Sequence, residues 1–151
     1  MISSIGFYNL KKTTLERALL QLLKKILQMN ERVVIMTGSK ERVDFLDQLL
    51  WTSDANSWIP HGTSCDEEID CQPIYLTDED ENPNNATILL LIDGAVSCKL
   101  MDFSRCLILF DGKDENVLQM QRIFWKKWKN PGVNFIYYQQ NDHGAWQEKI
   151  L

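Results

Sequence analysis

Short, continuous runs of apolar residues recur along this 151-residue chain and restrict the folds that it can adopt. Val33–Met36, Ile88–Ile92 and Cys106–Phe110 each contain four or five apolar residues without a polar interruption. A run of this length is typical of a strand that is covered on both faces, as in a parallel sheet. Three further segments are predicted as strands: Ile5–Tyr8, Pro73–Leu76 and, as the last strand, Val133–Tyr138.

Helical patterns separate these runs. Thr13 and Glu16 form a capping box before the first helix, and Ser39 is placed to cap the second. A third helix is predicted from Asp114 to about Lys129. Alternating strands and helices predict a single α/β domain over residues 1–151, with a mostly parallel, doubly wound sheet flanked by helices. We expect a Rossmann-like fold without a phosphate-binding loop.

Composition predicts one globular domain that works inside the cell. The chain is 44% apolar and 25% charged, and it contains no uninterrupted apolar stretch of the length that a bilayer requires. Met1–Ser4 lacks the basic and apolar regions of a signal peptide. We therefore expect a cytoplasmic protein whose cysteines are free thiols.

Acidic residues crowd the window from Cys65 to Glu81, although the net charge of the chain is only −5. The eight acids there are Asp66, Glu67, Glu68, Asp70, Asp78, Glu79, Asp80 and Glu81. The rest of the chain holds 13 acids and 16 bases, so a basic surface can exist on an acidic protein. We expect a solvated loop in this window, and its role is open.

Motifs of nucleotide chemistry and catalysis are incomplete. Thr37–Lys40 follows a strand and precedes a helix, but it lacks the first glycine of G-x4-G-K-[ST] and is more simply a strand exit and helix cap. No G-x-G-x-x-G or G-x-S-x-G occurs. His61, Cys65 and Cys71 lack the paired spacing of structural zinc sites. We expect no metal, no cofactor and no intrinsic catalysis; a degenerate nucleotide hydrolase is the least supported alternative.

The predicted third helix has two contrasting faces. At about 100° per residue, its predicted core stripe comprises Val117, Met120, Phe124 and Trp128. The adjoining face comprises Leu118, Arg122, Trp125, Lys126 and Lys129. An apolar platform among three cations fits a short acidic peptide that ends in a hydrophobic residue and a carboxylate.

Two other interpretations of this face remain open. It fits single-stranded nucleic acid, with Trp125 stacking on a base while cations follow the phosphates. It also fits a solvated basic face whose apolar residues fill the edge of the core. Because Lys11, Lys12, Lys24 and Lys25 carry no interleaved aromatic residue, we find no second basic-aromatic stripe and prefer the peptide.

The chain resembles the chi subunit family of DNA polymerase III over essentially its full length. The segments that carry this resemblance occur in the family's order and spacing: Phe7-Tyr8, Arg32–Ile35, Leu46–Trp51, Trp58–His61, Phe110–Gly112, Arg122-x-x-Trp125-Lys126 and Gly132–Asn134. The resemblance implies a non-catalytic replication adaptor. Its implied partners are the acidic C-terminal tail of single-stranded-DNA-binding protein and the psi subunit, which joins chi to the clamp loader.

The resemblance also implies positions for two binding surfaces. Arg122, Trp125 and Lys126 match the family's tail-binding residues, with Val117 and Leu118 as pocket walls. Leu118 stands where some relatives have a lysine, so one tail contact is either lost or supplied by Lys129. Trp58 matches the aromatic residue at the psi contact, and Ile59, Pro60 and His61 are included with it; this segment is either a partner surface or a packed turn. DNA contact is expected to be indirect, with no membrane partner.

Overall fold

A computed structural model describes residues 2–52, 59–64, 66, 68–129, 132–143 and 145–149. Within these ranges the strands are β1 (Ser4–Leu10), β2 (Val33–Met36), β3 (Ile74–Thr77), β4 (Ile88–Leu91), β5 (Arg105–Asp111), β6 (Asn134–Gln140) and β7 (Trp146–Lys149). The α-helices are α1 (Leu15–Gln28), α2 (Lys40–Thr52) and α3 (Glu115–Trp128). Two short 3₁₀ helices, Ile69–Cys71 and Leu100–Asp102, precede β3 and β5.

The strands form one sheet in the order β3-β2-β4-β5-β1-β6-β7. Every neighbouring pair among the first six strands is parallel, and β7 runs antiparallel to β6 at the edge. The central strands of the sheet are β4, β5 and β1. Nearly all of their residues are buried, as is typical of strands that are covered on both faces. The predicted mostly parallel α/β sheet is confirmed.

Two apolar cores lie on opposite faces of this sheet. One core joins α1 and α2 to the sheet through residues such as Leu19 and Leu46. The other core is centred on Phe7 and Phe103, and α3 packs against it with partly buried side chains. The sheet therefore separates α1 and α2 from α3, which is the doubly wound arrangement that the sequence predicted. Within the described ranges, no helix combines the length and apolarity needed to cross a bilayer.

Two local predictions were wrong. The N-cap of α1 is Thr14, whose hydroxyl oxygen accepts from the Arg17 N–H at 3.2 Å, and not Thr13. The Thr13 hydroxyl instead accepts from the Gln140 side-chain amide at 2.8 Å. A contact between residues distant in sequence therefore occupies the side chain that the local pattern predicted as the helix cap. Val133–Tyr138 was also predicted as the last strand, but β7 follows it as an antiparallel edge strand.

Candidate protein-interaction site on helix α3

Charged side chains stabilise helix α3 at both of its ends. The Asp114 carboxylate accepts from the Asn116 N–H at 2.9 Å, and Glu115 lies in the first turn. Lys126 and Lys127 lie in the last turn, where a positive charge interacts favourably with the helix dipole. The sequence of α3 thus places two cations in its last turn, next to Trp125.

Trp125 is anchored on the sheet. Its ring centroid lies 5.0 Å from that of Phe7 and 4.6 Å from that of Phe135, the latter in an edge-to-face arrangement at 88°. Leu118 likewise packs against this core and is partly buried. Trp125 therefore presents only part of its surface to solvent, as one wall of a site rather than as an open platform.

The buried arc of α3 differs from the predicted core stripe. Met120 was predicted to face the core, but its side chain is 49% exposed. Leu118 and Trp125 were assigned to a face that the core does not need, yet both pack against it. Tertiary contacts explain the difference: the Phe7 and Phe135 rings contact Trp125, so the buried arc of the helix includes Trp125 and Leu118 in place of Met120. Val117, Phe124 and Trp128 pack against the core as predicted.

The predicted cations lie on the exposed side of this anchored edge. Arg122, Lys126 and Lys129 are exposed, and the side chain of none of them forms a hydrogen bond or ion pair with another described residue. Arg122 lies four positions after Leu118, and Lys126 lies four positions after Arg122, so these side chains follow one edge of the helix. The structure thus brings partly buried apolar walls and free cations together along α3.

The second predicted surface is only partly described. Trp58 lies outside the described residues. Ile59 and His61 are buried and Pro60 is partly buried. The His61 Nδ1 lies 2.8 Å from the Ile59 carbonyl oxygen, and its Nε2 lies 2.9 Å from the Asp47 Oδ1. Since a carbonyl oxygen only accepts, Nδ1 donates there, and the ring ties this segment to α2.

Trp51 is the exposed group at this second surface that the sequence analysis did not single out as a contact. It lies in the last turn of α2, is 57% exposed, and its ring centroid is 4.9 Å from that of His61. The sequence does contain a signal for this position, because Trp51 is the last residue of the Leu46–Trp51 segment that carries the family resemblance. Helix α2 extends to Thr52, so Trp51 lies on its last turn and is exposed there.

The acidic window is more ordered than the solvated loop that we expected. Cys65 and Glu67 lie outside the described residues. Glu81 accepts from the Tyr75 hydroxyl at 2.8 Å and the Thr77 hydroxyl at 2.8 Å, and Asp80 accepts from the Ser97 hydroxyl at 2.6 Å. These carboxylates tie the loop after β3 to β3 itself and to the loop after β4, so part of the acidic charge serves local structure.

The turn between β2 and α2 is engaged as a helix cap. The Ser39 hydroxyl accepts from the Arg42 N–H at 3.3 Å, and the Thr37 hydroxyl donates to the Ser39 carbonyl at 2.8 Å. Within the part of the chain that the structure describes, no group of three His, Cys, Asp or Glu side chains is placed to hold a metal ion. Cys65, a member of the sequence trio considered for zinc, is outside that part.

The fold and these surfaces define a class: a Rossmann-like α/β domain with a capped turn in place of a phosphate-binding loop and a basic, partly aromatic helix edge. Comparison with known proteins identifies the family. The family model for DNA polymerase III chi subunit, HolC, matches residues 2–135. A curated relative from Rickettsia prowazekii (strain Madrid E), named "Probable DNA polymerase III subunit chi", is 32% identical over 154 residues, covering 97% of this chain and 92% of its own. The chain belongs to the DNA polymerase III chi subunit family, as the resemblance predicted.

Proposed function

We propose that this chain is a non-catalytic adaptor of the replication machinery. It links the clamp loader, through psi, to the acidic C-terminal tail of single-stranded-DNA-binding protein. The observation that carries the proposal is the edge of α3, where unpaired cations border partly buried apolar side chains. Membership of the chi family places the chain in the context of DNA polymerase III.

The chemistry of the α3 edge fits a tail that ends in a hydrophobic residue and a carboxylate. Arg122 has a planar guanidinium that can hold a carboxylate through two hydrogen bonds, and no described acid occupies it. Val117, Leu118 and the exposed part of Trp125 supply apolar contact. Lys126 and Lys129 then attract the acidic residues that precede the terminal carboxylate.

The position of the two surfaces favours simultaneous binding. The α3 edge packs on the core that contains Phe7, whereas Ile59 belongs to the core beneath α1 and α2. The tail and psi would therefore bind on opposite faces of the sheet without competing. The psi contact at Trp58, Ile59, Pro60 and His61 remains a prediction; its support is the exposed Trp51 ring beside the buried His61.

Direct binding of single-stranded nucleic acid is the alternative function. It requires an aromatic ring whose face is free to stack on a base. The Trp125 ring instead contacts the rings of Phe7 and Phe135, which weakens the case for base stacking. A peptide needs only an apolar wall and cations, so the observed arrangement supports the peptide more strongly.

Fluorescence anisotropy with a labelled peptide from the C-terminus of single-stranded-DNA-binding protein tests the tail contact. Arg122→Ala should weaken binding at least tenfold, because a hydrogen bond to a charged group contributes about 1.5–3 kcal/mol. Lys25→Ala is the matched control, since Lys25 is an exposed cation on α1, across the sheet. Equal affinity of wild type and Arg122→Ala would reject this site.

An oligonucleotide arm separates the two functions. Tight, length-dependent binding of single-stranded DNA by the chain, with a steep salt dependence, would favour the alternative. For the psi contact, Trp51→Ala and Trp58→Ala should each weaken binding of purified psi while leaving tail-peptide affinity unchanged. Loss of tail binding in these variants would contradict two independent surfaces.

A further inference from the structure

Helix α3 exposes apolar residues on the side that faces away from Trp125. Ile123 is 67% exposed and Met120 is 49% exposed. They are three positions apart, so they are neighbours on one face of the helix. Ile123 lies about 160° around the helix from Trp125. This apolar pair is therefore separate from the wall that we assign to the tail peptide.

The exposed apolar surface continues onto the loop after β4. The Met120 Cε lies 3.9 Å from the position that a Cβ atom on Gly94 would take. Val96, two residues further on, is 54% exposed. Gly94 adopts a φ of +76°, a backbone conformation that glycine accepts without strain. Helix and loop together form an apolar surface, here called the outer α3 surface, that comprises Val96, Met120 and Ile123.

The charged side chains of α3 that flank the outer α3 surface are basic. Arg122, Lys126 and Lys127 are exposed and lie one, three and four positions from Ile123. The Lys127 Nζ lies 5.8 Å from the Trp128 ring centroid, and none of the three cations pairs with a described carboxylate. In the helix itself, Glu115 in the first turn is the sole acid. A chain of net charge −5 thus carries an unneutralised basic rim around exposed apolar side chains.

We propose that the outer α3 surface is a second docking site, and that its occupant is an acidic amphipathic helix of a partner protein. Charge complementarity identifies the occupant: apolar residues of that helix would cover Met120 and Ile123, and a flanking Asp or Glu side chain would pair with Lys127, which the tail site does not use. Two apolar positions one helical turn apart match the repeat of an amphipathic helix. This site goes beyond the proposed tail and psi contacts.

The test uses the full chain and a synthetic amphipathic peptide with leucines along one helical stripe and glutamates elsewhere. A peptide of the same composition in scrambled order is the control ligand. Methyl NMR should show shifts at Ile123 and Met120 with the ordered peptide. Ile123→Ser and Lys127→Glu should each weaken its binding about tenfold, a typical effect for an anchor residue of an interface.

Control variants keep this test separate from the tail site. Met29→Ser removes a half-exposed apolar side chain on the other side of the sheet and should leave the affinity unchanged. Ile123→Ser should retain wild-type affinity for the tail peptide, which Arg122→Ala loses. Failure of the amphipathic peptide with intact tail binding would overturn this proposal alone.

Three results would overturn the proposal. The first is equal affinity for the ordered and scrambled peptides. The second is an unchanged affinity in Ile123→Ser, which would place the peptide elsewhere. The third is an Ile123-dependent dimer in analytical ultracentrifugation, which would make a second copy of the chain the occupant.

Discussion

Trp125 should contribute to stability as well as to binding, and Trp125→Ala measures how much. A fully buried Trp→Ala change costs about 3–5 kcal/mol. Trp125 is partly buried, which brings that contribution to about half. Each of its ring contacts, with Phe7 and Phe135, adds about 0.5–1.5 kcal/mol. The free energy of unfolding should therefore fall by about 2.5–5.5 kcal/mol.

Equilibrium urea unfolding followed by far-UV circular dichroism measures this change without relying on tryptophan fluorescence. With a denaturant slope of about 2 kcal/mol per molar urea, the midpoint should fall by about 1–3 M. Trp125→Phe keeps an aromatic ring and should lose roughly half as much. Arg122→Ala is the control on the same helix, and its change should stay within about 0.5 kcal/mol because the side chain is exposed and unpaired.

A Trp125→Ala variant as stable as the wild type would refute the anchoring role. The ring would then be free of Phe7 and Phe135, and base stacking would regain support. If the loss is as large as expected, tail binding by this variant has to be measured well below its unfolding midpoint. Arg122→Ala is therefore the cleaner variant for testing the tail site.

His61→Ala should lower the free energy of unfolding by about 2–4 kcal/mol in a urea titration, because it removes a buried ring and leaves both hydrogen-bond partners unpaired; an unchanged midpoint would contradict this. Burial raises the pKa of the Cys106 thiol, so iodoacetamide should alkylate exposed Cys98 in the folded chain and reach Cys106 only after unfolding. Peptide mass mapping with equal labelling of both cysteines would contradict that burial. Burial, and the neighbouring carboxylate in the case of Tyr75, raise the pKa of Tyr8 and Tyr75. Because the unfolded chain then loses these protons first, stability should be intact below about pH 10 and fall above it, as thermal melts across that range would show.

The parallel sheet could be predicted because its signal is local. Runs such as Val33–Met36 and Ile88–Ile92 are apolar throughout, and few structures other than a doubly covered strand accept such runs. Strand β7 escaped prediction for the opposite reason. Trp146–Lys149 is short and mostly polar, and it becomes a strand through pairing with the edge of β6.

The candidate site could be located from sequence, but its orientation could not. Helical spacing correctly placed Arg122 and Lys126 on an exposed face. Periodicity alone did not show that Phe7 and Phe135 would draw Trp125 inward, because those residues are distant in sequence. Met120 became exposed as a result, and it is part of the outer α3 surface.

Recruitment of psi to immobilised single-stranded-DNA-binding protein tests the adaptor role most directly. Surface plasmon resonance would follow binding of psi in the presence and absence of this chain. The account predicts that psi is retained only when the chain is added, and that Arg122→Ala abolishes most of this retention while Lys25→Ala does not. Retention of psi without the chain, or full retention with Arg122→Ala, would contradict the proposed link.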